Sequence, residues 1–234
     1  CGEIARAFGR AGLSVVVLDS EVGKAQTVAR QIDPSGKHAI AVELDVTEKS
    51  AHEAALAAAV RAFGGIDVLV NGAGVNAPTP FLEISVEEWR RIFDVHATGT
   101  FLGCQVFGAH MLERGRGSII NFSSASAGPP LSKAFSYSVA KAGIWNLTQN
   151  LAREWATGGV RVNALRPGFF PTEWSMKHFI TPERERAILG HTPMARYGRP
   201  DELVGAALWL ASEAASFVTG AEVTVDGGFT AMTI

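Results

Sequence analysis

The feature that most constrains this chain is alternation. Six short, almost uninterrupted apolar runs, residues 14–19, 39–45, 66–72, 118–124, 160–168 and 222–228, recur between longer stretches with helical patterning. Runs such as SVVVLD and IDVLVNG lack polar alternate positions, so they suit strands covered on both faces, as in a parallel sheet. Each run ends in polar or glycine residues. The segments between them, among them EKSAHEAALAAAVRAF and the span from Phe135 to Ala156, read as helices, and Gly12, Gly65 and Gly158 or Gly159 stand where helices should stop. Strand and helix in alternation predict βαβ units and an α/β fold, a doubly wound parallel sheet in three layers.

Length and charge narrow the functions. The 234 residues carry no linker, repeat or low-complexity stretch, which suits a single domain, 1–234. A net charge of -2 with no basic run argues against nucleic acid as a partner. No apolar stretch approaches the roughly 18 residues of a membrane span. Cys1 and Cys104 have neither metal-like nor redox-like spacing. They read as free thiols in a reducing, cytoplasmic compartment, and no metal site is expected. The long insertion 172–199 follows a predicted strand, where such insertions form substrate lids.

The start of the chain breaks the pattern. It opens in helical text, without a strand or a Gly-rich turn before it. A doubly wound nucleotide fold sets its first strand at the centre of the sheet. The expectation is therefore that this first strand and turn precede residue 1.

The chemistry gathers at YSVAK, residues 137–141. Residues four apart share a helix face, so the Lys141 ammonium can lie near the Tyr137 hydroxyl. A phenol titrates near 10, and a nearby positive charge favours its ionised form. Such a pair suits a general base for an alcohol, or a general acid for a carbonyl. Alone, the spacing also fits an amphipathic helix with a surface lysine. Ser124, however, ends the strand SIINFSS, where a hydroxyl faces the crevice used by ligands. NGAG (71–74) and RPGFFPT (166–172) end two further strands in residues that let backbone approach a ligand.

Together, NGAG, Ser124, YSVAK, RVNALRPGFFPT and the closing SFVTGAEVTVDGG resemble the short-chain dehydrogenase/reductase family in its single-domain form, over essentially the whole chain. The resemblance implies a Rossmann-type fold. It also implies hydride transfer between a nicotinamide cofactor and an alcohol or carbonyl, with Ser124, Tyr137 and Lys141 as catalytic residues and Lys141 also on the cofactor ribose. It places Asp45, Val46, Asn71, Ala73, Gly74, Pro167, Gly168, Phe170 and Thr172 along the cofactor, and makes a homotetramer or homodimer the expected assembly. Two departures stand out. The family's TGxxxGxG turn is absent, and His96 in FDVHATGTF stands where the family usually has Asn. That Asn helps hold a water near the lysine. A neutral imidazole both donates and accepts, so His96 either takes this relay role or packs inside its helix.

Asp19, at the end of SVVVLD, favours NAD. A carboxylate there accepts hydrogen bonds from ribose hydroxyls and repels a 2′-phosphate, although a helix-capping Asp fits the position too. Ser126, Phe169 and Trp174 are candidate substrate contacts, and Lys133, Arg166 and Lys177 are candidate cations for an acidic substrate. PGFFPTEW and the stretch from ILGHTPM onward are similar to sugar-acid and polyol members of the family. A 3-oxoacyl reductase and a non-catalytic nucleotide-binding protein on the same fold are the alternative readings.

Overall fold

A computed structural model describes residues 1–128, 131–132, 134–172, 175–177 and 180–232. All six expected strands form: β1 (Val15–Asp19), β2 (Ala39–Glu43), β3 (Val68–Asn71), β4 (Gly117–Phe122), β5 (Val160–Pro167) and β6 (Glu222–Val225). The helices between them are α1 (Gly2–Arg10), α2 (Val22–Ile32), α3 (Lys49–Phe63), α4 (Val86–Phe93), α5 (Gly99–Arg114), α6 (Phe135–Trp155), α7 (Pro182–Gly190) and α8 (Val204–Ala211).

Every ladder is parallel. The strands fall into two groups, β1-β2 and β3-β4-β5-β6, with no ladder between β1 and β3 among the described residues. Packing nevertheless joins the groups. One core sets Ala55, Cys104, Phe107 and Met111 from α3 and α5 against Leu69, Ile119, Val160 and Val162, with Leu18 and Val42 at its margin. The other sets Ile4, Phe8, Ala207 and Leu210 from α1 and α8 against Val15, Ile120 and Leu165. Ile119 and Ile120 are adjacent and enter opposite cores, because successive strand side chains point to opposite faces. That is why β4 reads as continuously apolar. The result is three layers: helices, parallel strands, helices.

The span from Val86 to Arg114 is one continuous helix with a single turn of π-helix, Asp94–Thr98, inside it. Such insertions concentrate at functional sites. This one carries His96. None of the described helices is long and apolar enough to cross a membrane.

Candidate active site

β4 and α6 build the centre of the site. Ser124 follows β4 in extended conformation and caps the short turn Ala125–Ala127. Its Oγ accepts two hydrogen bonds from Ser126, from the backbone N–H at 3.2 Å and from the hydroxyl at 3.1 Å. With both lone pairs engaged, the Ser124 hydroxyl is left to act as a donor. It favours the ionised form of the Tyr137 phenol. Ser126, expected at the substrate, is buried and has its hydroxyl turned to Ser124 instead.

Tyr137 and Lys141 stand one turn apart on α6, with the Lys141 amine 5.6 Å from the centre of the Tyr137 ring. Lys141 is buried, only 4% exposed, and donates to the Phe122 carbonyl of β4 at 2.6 Å. Burial pulls its pKa down to about 7. The sequence reading expects Tyr137 below the ordinary tyrosine range, and here the structure differs. Burial pushes the phenol up, and the Ser124 hydrogen bond opposes this. An uncharged phenol is easier to bury than a phenolate, and Lys141, near its own midpoint at neutral pH, supplies only part of a charge.

His96 packs edge-on against Tyr137, ring centres 5.1 Å apart, and over Gly74, where a Cβ would collide with the imidazole. Its Nε2 lies 2.6 Å from the Val75 carbonyl and 3.1 Å from the Val75 N–H, so it meets a partner whether it carries the proton or not. Nδ1 is buried with no partner among the described residues. Burial, with Lys141 adding to it, lowers the His96 pKa to about 4. The residue is therefore a neutral imidazole beside the phenol.

The other expected positions divide. Asp19 ends β1, and its Oδ1 accepts from the Glu21 N–H at 2.9 Å. Nearby Lys24 is paired with Glu21. Asp45 lies two residues past the end of β2 and is exposed, with one oxygen accepting from the backbone and hydroxyl of Thr47. Val46 packs on Gly99, and Ala73 and Gly74 are exposed after β3. The Asn71 side chain is drawn inward to Asn121 at 2.9 Å, so only its backbone remains for a ligand. Pro167 ends β5, and Gly168 extends the pairing to Val225. The Phe170 ring packs into the α1/α8 core and against Gly198. Thr172 is exposed and caps the turn that follows through Ser175. Arg166 is not a free cation. It pairs with Glu222 at 2.9 Å, both side chains largely buried. Lys177 is exposed, and Trp174 and Lys133 lie outside the described residues.

These residues fit a nicotinamide dinucleotide. Asp19 and Asp45 each keep one carboxylate oxygen without a protein partner among the described residues, and exposed small residues follow β3. Sequence reasoning missed the Ser126 bonds, the Phe122 carbonyl under Lys141 and the half-buried Arg184 on α7. All three depend on long-range or loop geometry that no spacing announces.

Comparison with known proteins agrees with the geometry. A family model described as Enoyl-(Acyl carrier protein) reductase matches residues 2–230. A 3beta-hydroxysteroid dehydrogenase 1 of Eggerthella lenta is 41% identical over 230 residues, 97% of this chain and 88% of that one. A galactitol 2-dehydrogenase (L-tagatose-forming) of Cereibacter sphaeroides is 40% identical over 231 residues, covering 97% and 89%. The crystal structure of a gluconate 5-dehydrogenase from Burkholderia cenocepacia, in complex with NADP and tartrate, superposes with a TM-score of 0.93 at 33% identity, covering 99% of this chain and 91% of that one. With the family model spanning nearly the whole chain and relatives at this identity, the chain belongs to the short-chain dehydrogenases/reductases, as an alcohol dehydrogenase or ketoreductase of that family.

Proposed function

We propose that the protein is an NAD-dependent oxidoreductase of a sugar acid or polyol, interconverting a secondary alcohol and its ketone. The observation that carries this reading is the convergence of Ser124, Tyr137 and Lys141 between the end of β4 and the first turns of α6. When bound, the nicotinamide supplies or takes the hydride, and its oxidised ring adds one positive charge.

The chain's own groups handle the oxygen. Ser124, its lone pairs occupied by Ser126, donates to the substrate oxygen and holds it at the phenol. Tyr137 gives its proton to that oxygen in reduction and takes it back in oxidation. Burial keeps the phenol protonated near neutrality, the form that reduction needs. Lys141, held by the Phe122 carbonyl, biases the phenol toward release and carries the cofactor ribose. His96 borders the phenol through its ring, and its unpartnered Nδ1 is the atom that would bond the relay water.

Asp19 supports NAD over NADP, and the segment 172–199, which contains α7, is the lid. Phe101, Phe135, Val139 and Trp209 expose large apolar surfaces, which supports a symmetric homo-oligomer. The buried thiol of Cys104, pushed up to about 12 by burial, is chemically quiet and suits a cytoplasmic protein. A panel of polyols, sugar acids and acyl ketones, followed by NADH absorbance, tests the proposal. Turnover confined to acyl ketones with NADPH would refute it in favour of a 3-oxoacyl reductase.

A further inference from the structure

Between the loop after Ser124, the residue that follows β5 and α7 lies a cavity of about 310 Å³, at the small end of ligand pockets (roughly 300–1,000 Å³). Its position follows from the backbone. Ser132 belongs to the loop that joins Ser124 to Tyr137, Phe169 follows the end of β5, and α7 closes the opposite side. Phe169, Ile188 and Phe229 form an apolar wall, with Phe229 packed edge-on against both Phe169 and His191. Arg184 enters from α7.

Arg184 differs from its neighbours. On the same helix Arg186 pairs with Glu183, and Arg166, Arg196 and Arg199 each have a carboxylate. Arg184 is half-buried, lines the cavity, and has no carboxylate partner among the described residues. Its one hydrogen bond there goes from Nη2 to the Ser132 carbonyl at 3.2 Å. A guanidinium has five N–H donors in a planar fork that matches a carboxylate, so most of its donors have no protein partner among the described residues. His191, on the same wall, adds a ring that can donate to a carboxylate or a hydroxyl.

We infer that Arg184 is the carboxylate anchor of the substrate site, and that the preferred substrates are small hydroxy or keto acids rather than neutral polyols. The inference rests on the dehydrogenase reading above and narrows it. The acid group sits at Arg184, the carbon chain lies along Phe169 and Phe229, and the reacting carbon reaches Tyr137.

Matched probes test this. D-gluconate and D-glucitol share a carbon count and differ in one terminal carboxylate. The protein is assayed with NAD for turnover of each, and gluconate binding is measured separately by calorimetry. Gluconate should show the higher kcat/KM. Arg184→Gln should collapse the gluconate-to-glucitol ratio and weaken gluconate binding by about ten- to hundredfold, the usual worth of a charge-assisted hydrogen bond. Arg184→Lys should recover part of the loss. If Arg184→Gln changes gluconate binding less than twofold, or if gluconate does not bind at millimolar concentration, the anchor is wrong, while glucitol turnover would leave the dehydrogenase reading intact. Gluconate that binds through Arg184 with no alcohol oxidised would support the anchor and count against that reading.

Discussion

The two strand groups have the same local architecture and treat polar residues in opposite ways. In the β1-β2 half only Val15 and Ala39 of the strands are buried, and the polar groups find partners nearby in sequence. Asp19 accepts from Glu21, Asp33 from Ser35 and His38, Asp45 from Thr47. In the β3–β6 half, β4 and β5 are flanked by strands on both sides and are buried along most of their length. There the polar partners are distant in sequence. Asn71 bonds Asn121, Lys141 bonds the Phe122 carbonyl, and Arg166 pairs with Glu222. The wet half offers exposed carboxylates to a ligand, with neighbouring hydrogen bonds lowering Asp45 and bringing Asp33 down to about 2, which favours their charged forms. The dry half shifts its groups, Lys141 down to about 7 and His96 down to about 4. Substitutions in the dry half should therefore strike chemistry and stability, and those in the wet half only affinity.

The largest effect belongs to Tyr137. Tyr137→Phe removes the proton carrier and leaves the ring against His96, so kcat should fall by about 10²–10⁴-fold while NADH still binds, as titrated by fluorescence. Near-normal kcat in this variant would shift the proton to another group and undo the contrast between the halves. His96 comes next. Its neutral form is required in the fold, whereas the unfolded chain takes up a proton below about 6.5. Its contribution to stability is thus complete above that value and is lost as pH falls toward about 4. The shift corresponds to about 3 kcal/mol as an order of magnitude. Urea denaturation at pH 7 and pH 4.5 should show a steeper acid loss for the unaltered protein than for His96→Asn, which cannot titrate. Equal losses would mean that another group sets the acid limit. A smaller effect should follow from Asn121→Ala. It removes one bond from the Asn71 amide, which keeps Cys104, and one from the Thr148 hydroxyl, which keeps the Ile144 carbonyl, so the loss should be about 1 kcal/mol for each. The urea midpoint would report it.

The same contrast explains what the sequence made legible. The six strands were readable because burial on both faces forces continuous apolar runs, and α6 because its 21 residues carry YSVAK in helical phase. Ser124, Tyr137 and Lys141 were readable because a strand end and a one-turn helical spacing bring them together without reference to the rest of the chain. The Ser126 hydroxyl turns back two residues to Ser124, which the sequence did not announce. Apolar packing and a cross-strand amide bond draw the side chains of Phe170 and Asn71 inward, which no local spacing announces. Burial, which raises the Tyr137 phenol, has no sequence signature, whereas the charge four residues away does. Arg184 escaped notice because an arginine in the first turn of a helix reads as a solvated side chain until a cavity is found beneath it.

The smallest expected effect lies in the wet half, at Asp19, and it tests the contrast from the other side. Asp19 is partly exposed, and one of its oxygens is held by the Glu21 N–H. The other is available to a ribose hydroxyl, and the carboxylate charge disfavours a 2′-phosphate at the same place. Water screens both interactions, so each sits at the lower end of what a charged hydrogen bond contributes. Asp19→Ala should raise the KM for NAD by about tenfold and lower that for NADP, without changing kcat, because no group in the dry half moves. Steady-state kinetics with both cofactors at fixed substrate would show this. If the unaltered protein uses NADP better than NAD at equal concentration, Asp19 serves only as a cap for the turn into α2, and the cofactor must be held by contacts outside β1 and its loop.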